Sequence, residues 1–354
     1  MINISCSYTL PPLKTRTRTN NKTSLMSRIA THAGTWYSSS PEQLTKELTS
    51  YLQKANHKTK TPYPIPNAHI CISPHAGYTY CGPTMAHSYG SLDFSKVTKP
   101  IRFLIMGPSH HFYFRNQIML SSFKEIQTPV GNLSIDTKQV QSWLRTHPGI
   151  FSPMNGTDDE AEHSLEMQFP MLYTLLTYRG IDPSVVSIVP MLISSNDSET
   201  HKELSKILLD AYRDPEYDNY IIISSDFCHW GKRFQYTTYV NSMTDIENEE
   251  YVRLNSRSKM SHYDLKIWES ISLLDKIGMD TLSLNNVIEW GNYLESSENT
   301  ICGRNPLNLL LGMIEYSGDE KNFVWNWLDY SQSSHCEEVS DSSVSYASGC
   351  VCNK

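Results

Sequence analysis

Three stretches of the chain run apolar without alternation and then stop at a polar tip that contains histidine. Ile101-Arg102-Phe103-Leu104-Ile105-Met106 stops at Gly107-Pro108 and delivers Ser109-His110-His111. Ala68-His69-Ile70-Cys71-Ile72-Ser73 runs into Pro74-His75-Ala76-Gly77, and Tyr220-Ile221-Ile222-Ile223-Ser224-Ser225 runs into Asp226-Phe227-Cys228-His229-Trp230-Gly231. Short unalternating apolar runs bounded by turn residues predict strands buried on both faces, as in a parallel sheet. In open α/β sheets ligands lie beyond the carboxyl ends of the strands, so three histidine-bearing ends predict one shared site.

Between these runs the pattern changes to helical spacing. Ser40-Pro41-Glu42-Gln43 predicts an N-cap, a first-turn proline and a capping-box partner, followed by a helix with Leu44, Leu48, Tyr51 and Leu52 on one face, ending near Ala55. Pro62, Pro64 and Pro66 mark a linker. Further helices are expected through Met85 and Tyr89, over 137–144, after the acidic stretch Asp158–His163 with Pro170 delaying the start, over 198–211, at about 263–277 and 285–295, and over 307–316. Gln117–Leu120, Val185–Ile193, Phe323–Tyr330 and Ser343–Tyr346 read as further strands. Alternating strands and helices without an internal repeat predict a single α/β domain, a sandwich with a mixed central sheet flanked by helices.

Composition narrows this picture. A length of 354 residues supports one large core, and a net charge of −7 gives no basic footprint for nucleic acid. No apolar run approaches the ~18 residues of a membrane span, so a soluble chain is expected. Eight cysteines at 6, 71, 81, 228, 302, 336, 350 and 352 form no CxxC pair, which fits thiols in a reducing compartment, cytoplasm or nucleus. Residues 1–27 hold Lys14, Arg16, Arg18 and Lys22 and no acid; the first acid is Glu42. That composition has the flavour of an organelle transit peptide, but Pro11-Pro12 and the lack of an amphipathic helix favour a disordered extension, or a leader ahead of an internal start at Met26. The folded domain is expected over 28–354.

The candidate chemistry sits at the strand ends. His75, His110, His111 and His229 can hold a metal or move a proton. The competing account of each is a loop histidine with a structural hydrogen bond; four together favour a site. Cys302 lies shortly before a helix expected to be capped by Asn305 with Pro306 as first residue, where the helix N-terminus and Arg304 would stabilise a thiolate. The competing account is an inert core thiol. Asp226 is either a carboxylate that orients a histidine or a loop cap. His163 and Glu166 are either a pocket wall or a surface cap, and Asp158 to Glu162 reads as a solvated face. Trp36, Tyr78, Tyr80 and Trp230 line a cleft or pack in the core, and the Cys350/Cys352 pair alone is weak metal evidence. No GxGxxG follows a strand, and no GxxxxGKS/T, HExxH or GxSxG is present, which disfavours nucleotide enzymes, zincins and α/β-hydrolases.

Read together, the motifs resemble one family. Thr31-His32-Ala33-Gly34-Thr35-Trp36-Tyr37, Pro74-His75-Ala76-Gly77-Tyr78-Thr79-Tyr80-Cys81-Gly82, Gly107-Pro108-Ser109-His110-His111, Glu162-His163-Ser164-Leu165-Glu166-Met167, Ser225-Asp226-Phe227-Cys228-His229-Trp230-Gly231, Thr300-Ile301-Cys302-Gly303-Arg304 and Asp341-Ser342-Ser343-Val344-Ser345-Tyr346-Ala347 occur in the order of the Memo family. The resemblance covers about residues 28–350. It implies a fold similar to the class III extradiol dioxygenases, which hold iron with two histidines and a glutamate. It implies metal ligands His75, His110 and Cys302, with His229 at the position of the acid/base histidine and His111, Asp226, Trp36 and Arg304 around the pocket.

A thiolate in place of the carboxylate favours copper, leaves iron open and disfavours ring cleavage. The resemblance therefore implies a redox protein holding one copper or iron ion, acting with molecular oxygen and yielding reactive oxygen species, and linked to cell motility and cytoskeletal signalling. The alternative it implies is a non-enzymatic adaptor that binds a phosphotyrosine peptide or other signalling partner in a vestigial cleft. An oxygenase acting on a small aromatic is a third, minor expectation.

Overall fold

The computed structural model describes residues 27–59 and 62–353. Residues 1–26 of the expected extension, with the Met26 start, lie outside the described residues. Ser27–Arg28 already form a short strand, paired in parallel with Glu125–Ile126.

A mixed sheet of twelve strands runs through the described residues. Its centre is parallel: Val186–Ile193, Ile101–Pro108, Asp218–Ser224 and Ala68–Ser73 lie side by side in that order. Every residue of Ile101–Pro108 is buried, as its unbroken apolar run requires. Phe103, Leu104, Ile105 and Met106 are fully inaccessible, and each such side chain contributes ~1.5–3 kcal/mol of burial. Arg102 is the polar exception. Its guanidinium reaches past the strand's amino end to Asn219, Gln139, Asp214 and the Ala211 carbonyl and stacks on Tyr217, so its burial leaves donors satisfied.

Beyond Ala68–Ser73 the sheet turns antiparallel through Ser343–Asn353, which also pairs with Phe323–Gln332. Both late strands run longer than the sequence pattern predicts. Two groups of helices flank the sheet. Pro41–Lys58, Tyr78–Ser91 and Gln168–Tyr178 pack on one another, while Ser198–Tyr212 and Arg304–Ser317 pack together over the central strands.

Several local expectations change. Ser40 does cap Pro41–Lys58 by accepting from the Gln43 amide, but Gln43 closes no reciprocal box; its side-chain oxygen accepts from Ser38 Oγ. Tyr78–Ser91 begins five residues before Pro83 and carries it inside. Pro170 sits in the first turn of Gln168–Tyr178, where its missing N–H has no helical partner to lose. The acidic stretch is not the expected solvated face: Gly156–Ala161 and His163–Glu166 are short helices, and Asp159, Glu162 and His163 are buried. The hairpin Glu125–Thr128 and Gly131–Ile135 has no counterpart in the sequence reading.

Candidate metal centre

Because Ile101–Pro108, Asp218–Ser224 and Ala68–Ser73 are parallel neighbours, their carboxyl ends share one edge of the sheet. His110, Asp226 to His229, and His75 therefore emerge side by side, and Cys302 approaches from the turn before Arg304–Ser317. The rings of His75 and His110 lie 5.2 Å apart. One ligand atom from each of His75, His110 and Cys302 falls within 4.8 Å of the others. Cys302 Sγ is 3.3 Å from His75 Nε2.

Each imidazole has its other nitrogen held by the protein. Ser224 Oγ donates to the Ser164 carbonyl at 2.6 Å, so it faces His75 Nδ1, 2.8 Å away, as an acceptor; Nδ1 carries the proton and Nε2 keeps its lone pair. Gln168 Nε2 donates to the same hydroxyl and to the Pro74 carbonyl. His110 Nδ1 lies 3.0 Å from Glu162 Oε1, while the His110 amide donates to Glu162 Oε2 at 2.8 Å. That carboxylate fixes the ring's direction and its tautomer, the usual support of a metal-binding histidine. His229 Nδ1 faces the carbonyls of Phe227 and Thr300 at 2.9 and 3.1 Å, which can only accept. Its Nε2 is thus the basic atom.

Burial first, and then the neighbouring His110, push His75 and His163 well below the ordinary imidazole range, and burial lowers His229. Burial likewise raises the Asp226 carboxyl. For Glu162 burial acts against ionisation, but the His110 ring and amide and the His163 ring outweigh it and hold the carboxyl well below its usual range.

The centre opens into a cleft of about 830 Å³. Trp36, Tyr80, Phe112, Tyr113 and Phe234 give it aromatic walls, and the exposed Arg304 stands at the start of the helix beside Cys302. His163 is sandwiched in the wall, its ring centroid 4.3 Å from that of His110 and 4.6 Å from that of Trp36. Tyr78 and Trp230 pack in the core.

Other sequence candidates land differently. Asp226 does hold a histidine, but through the main chain: Oδ1 accepts from the His75 amide at 2.7 Å. His111 is exposed and outside the cleft lining, its ring 6.1 Å from that of His163. The helix after Cys302 begins at Arg304 with Gly303 at its cap, so neither Asn305 nor Pro306 has its expected place. Cys350 and Cys352 are buried strand thiols. Glu162, Ser224 and Gln168 were not singled out by the sequence. A signal for Glu162 exists: with Leu165, Phe169 and Leu172 it follows the i, i+3, i+7 spacing of a buried helical face.

The donor set fits a transition metal: two imidazoles, each with its Nδ1 held by a partner, and a sulfur. A second cluster, His110, Glu162 and His163, shares His110 with the first.

The family described as Memo-like protein matches residues 28–350. "MEMO1 family protein MHO1" of Saccharomyces cerevisiae is 45% identical over 340 residues, covering 92% of this chain and 98% of that protein. "MEMO1 family protein C4H3.04c" of Schizosaccharomyces pombe is 40% identical over 320 residues, covering 90% and 97%. "Protein MEMO1" of Homo sapiens is 37% identical over 325 residues, covering 92% and 97%. With its strand-end histidines, the family match over residues 28–350 and yeast and vertebrate relatives that cover 90–92% of it, the chain belongs to the Memo family.

Proposed function

We propose that this protein binds one copper or iron ion between His75 Nε2, His110 Nε2 and Cys302 Sγ and uses it in redox chemistry within the cleft. The observation that carries the reading is the convergence of two nitrogen lone pairs, each fixed by a partner on the far side of its ring, with one thiol inside 4.8 Å. The sulfur donor favours a soft or redox-active ion and turns the reading away from ring cleavage. A bound ion would supply one-electron exchange with molecular oxygen, the source of the reactive oxygen species expected of the family.

The chain's own groups divide the remaining work. His229, neutral and with Nε2 basic, takes or returns a proton at the centre. Asp226 keeps the His75 main chain in register with the Ser224 strand end. Trp36, Phe112 and Phe234 keep water from the inner cleft.

The test is metal content after anaerobic purification and addition of Cu(I) or Fe(II). Near one equivalent is expected for the native chain, much less for Cys302→Ser, and none for Cys302→Ser with His110→Ala. Stoichiometric metal in the double variant, or none in the native protein, sinks the reading.

A second reading rests on Arg233 and Arg304, guanidinium groups in the same cleft wall as the exposed Tyr80 and Tyr113. These suit an anionic aromatic ligand such as a phosphotyrosine peptide, and the motility and signalling role belongs to this adaptor reading. Calorimetry showing no phosphotyrosine-peptide binding at millimolar concentration counts against it.

A further inference from the structure

We propose that Arg28 is a positioning residue for His110, acting at a distance through Glu162. The inference rests on the reading of His110 as a ligand, and it assigns a task to a side chain outside the cleft lining.

Arg28 lies on the two-residue strand Ser27–Arg28 and is wholly buried. Apart from a bond from Nη1 to the neighbouring Ile29 carbonyl at 3.2 Å, its guanidinium is spread over one short segment. Nε donates to Asp159 Oδ1 at 2.9 Å, Nη1 to Glu166 Oε2 at 2.6 Å, and Nη2 to the carbonyls of Asp159 and Glu162 at 2.7 and 3.0 Å. Those carbonyls stand where Gly156–Ala161 ends and His163–Glu166 begins; the Asp159 carbonyl also accepts from the Glu162 amide at 3.3 Å. The fork therefore fixes the joint between two short helices, neither long enough to hold its own geometry. Glu162 is that joint.

From the joint the Glu162 side chain reaches back to His110. Beyond Pro108 the chain has left the sheet, so the His110 amide has no strand partner; Glu162 Oε2 supplies one, and Oε1 fixes the ring. Oε1 also accepts from the Ser164 amide at 2.9 Å, which ties the carboxylate to its own helix start. The path is guanidinium to Glu162 carbonyl, Glu162 carboxylate, His110 imidazole. A lysine cannot reproduce it, because one ammonium cannot serve a planar set of acceptors on three residues.

The reading that Arg28 merely holds the fold together makes a different prediction. Asp159→Asn removes the Arg28–Asp159 ion pair but keeps both carbonyl acceptors, so it reports stability without releasing the joint. The experiment reads the His110 ring tautomer in metal-free, folded, 15N-histidine-labelled protein by long-range proton–nitrogen spectra, assigned with His110→Gln. Cu(I) affinity and thermal unfolding are measured beside it.

The native chain and Asp159→Asn are expected to show the Nδ1–H form alone. Arg28→Lys, with Arg28→Gln as a second variant, should show both tautomers and bind Cu(I) about 10-fold more weakly. Glu162→Gln should do the same, and combining it with Arg28→Lys should add no further change in tautomer or affinity, as for two links of one path. A folded Arg28 variant that keeps the pure Nδ1–H signal overturns the inference, as does a double variant with additive loss. A native protein that binds no Cu(I) defeats the metal reading alone; the tautomer still decides the role of Arg28.

Discussion

The two sides of the centre are built by different means. On the imidazole side, His75 and His110 are aimed by side chains: a hydroxyl and an amide behind one ring, a carboxylate behind the other. On the thiol side, Cys302 is placed by main-chain packing. Gly303 presses against the end of the Ser224 strand, its amide donating to Ser225 Oγ at 3.1 Å, and the helix begins at once with Arg304. The difference teaches where each side is fragile. A ring can be misdirected while the fold stands, whereas the Cys302 main chain shifts only with the turn and helix start that Gly303 packs against the sheet.

The largest effect is therefore expected from Gly303→Ala. A Cβ there would lie 2.3 Å from Ser225 Cβ and 2.8 Å from the Ser224 carbonyl, with the backbone in an ordinary conformation, φ −82°. The clash is one of space, and the helix start must retreat from the sheet. Urea unfolding should show a loss of about 3 kcal/mol, the upper end for overpacking. The Cu(I) affinity should fall with it, since Cys302 travels with the helix. A variant with native stability and native affinity would show that the thiol side is not held by packing.

What could be read from the residues follows the same division. The strand ends were legible because an unalternating apolar run such as Ile101–Met106 leaves little choice but a doubly buried strand, and whatever follows Gly107-Pro108 must sit at its carboxyl end. Cys302 was legible from its place ahead of a helix, although the cap was set two residues late, at Asn305 rather than Gly303. The supports were harder. Glu162 lies in an acidic stretch whose composition speaks of solvent, and its ring partner, His110, is 52 residues away. Ser224 is an ordinary strand-end serine until Ser164 fixes its proton. A single arginine at 28 looks like a surface cation, and its partners stand 131 to 138 positions along the chain. Local pattern reports which element a residue joins; it does not report which distant group will neutralise it.

On the imidazole side, Ser224→Ala should separate aim from stability. The change removes the donor to the Ser164 carbonyl and the acceptor for His75 Nδ1, while Gln168 Nε2 keeps the Pro74 carbonyl. Stranding buried groups of this kind costs about 1–2 kcal/mol. The His75 ring should lose its single tautomer, and Cu(I) should bind less tightly than to the native chain, though with a smaller loss than for Gly303→Ala. An unchanged His75 tautomer in the long-range spectra would mean that the ring is aimed by packing, and the contrast between the two sides would dissolve.

The smallest effect, and the one that separates the sides by charge, is acid sensitivity. His75, His163 and His229 all have folded-state pKa values below the ordinary 6.5, with burial as the leading cause. A lowered folded pKa means that the unfolded chain binds protons first as pH falls. The stability these rings contribute is full above 6.5 and declines below it, by at most about 1.4 kcal/mol per pH unit for each ring. Asp275 works the other way. Burial raises its carboxyl to about 6, so its contribution is present at low pH and is lost as pH rises through about 6. The Asp226 and Asp159 carboxyls, also raised by burial, act in the same sense as Asp275; the three rings outweigh them, and the native chain should be less stable at about pH 5.5 than at about pH 7.5. His163→Gln removes one buried imidazole and leaves both proposed nitrogen ligands, so the difference between the two conditions should shrink by about 1 kcal/mol in urea unfolding. An undiminished difference would move the acid sensitivity away from the histidine wall.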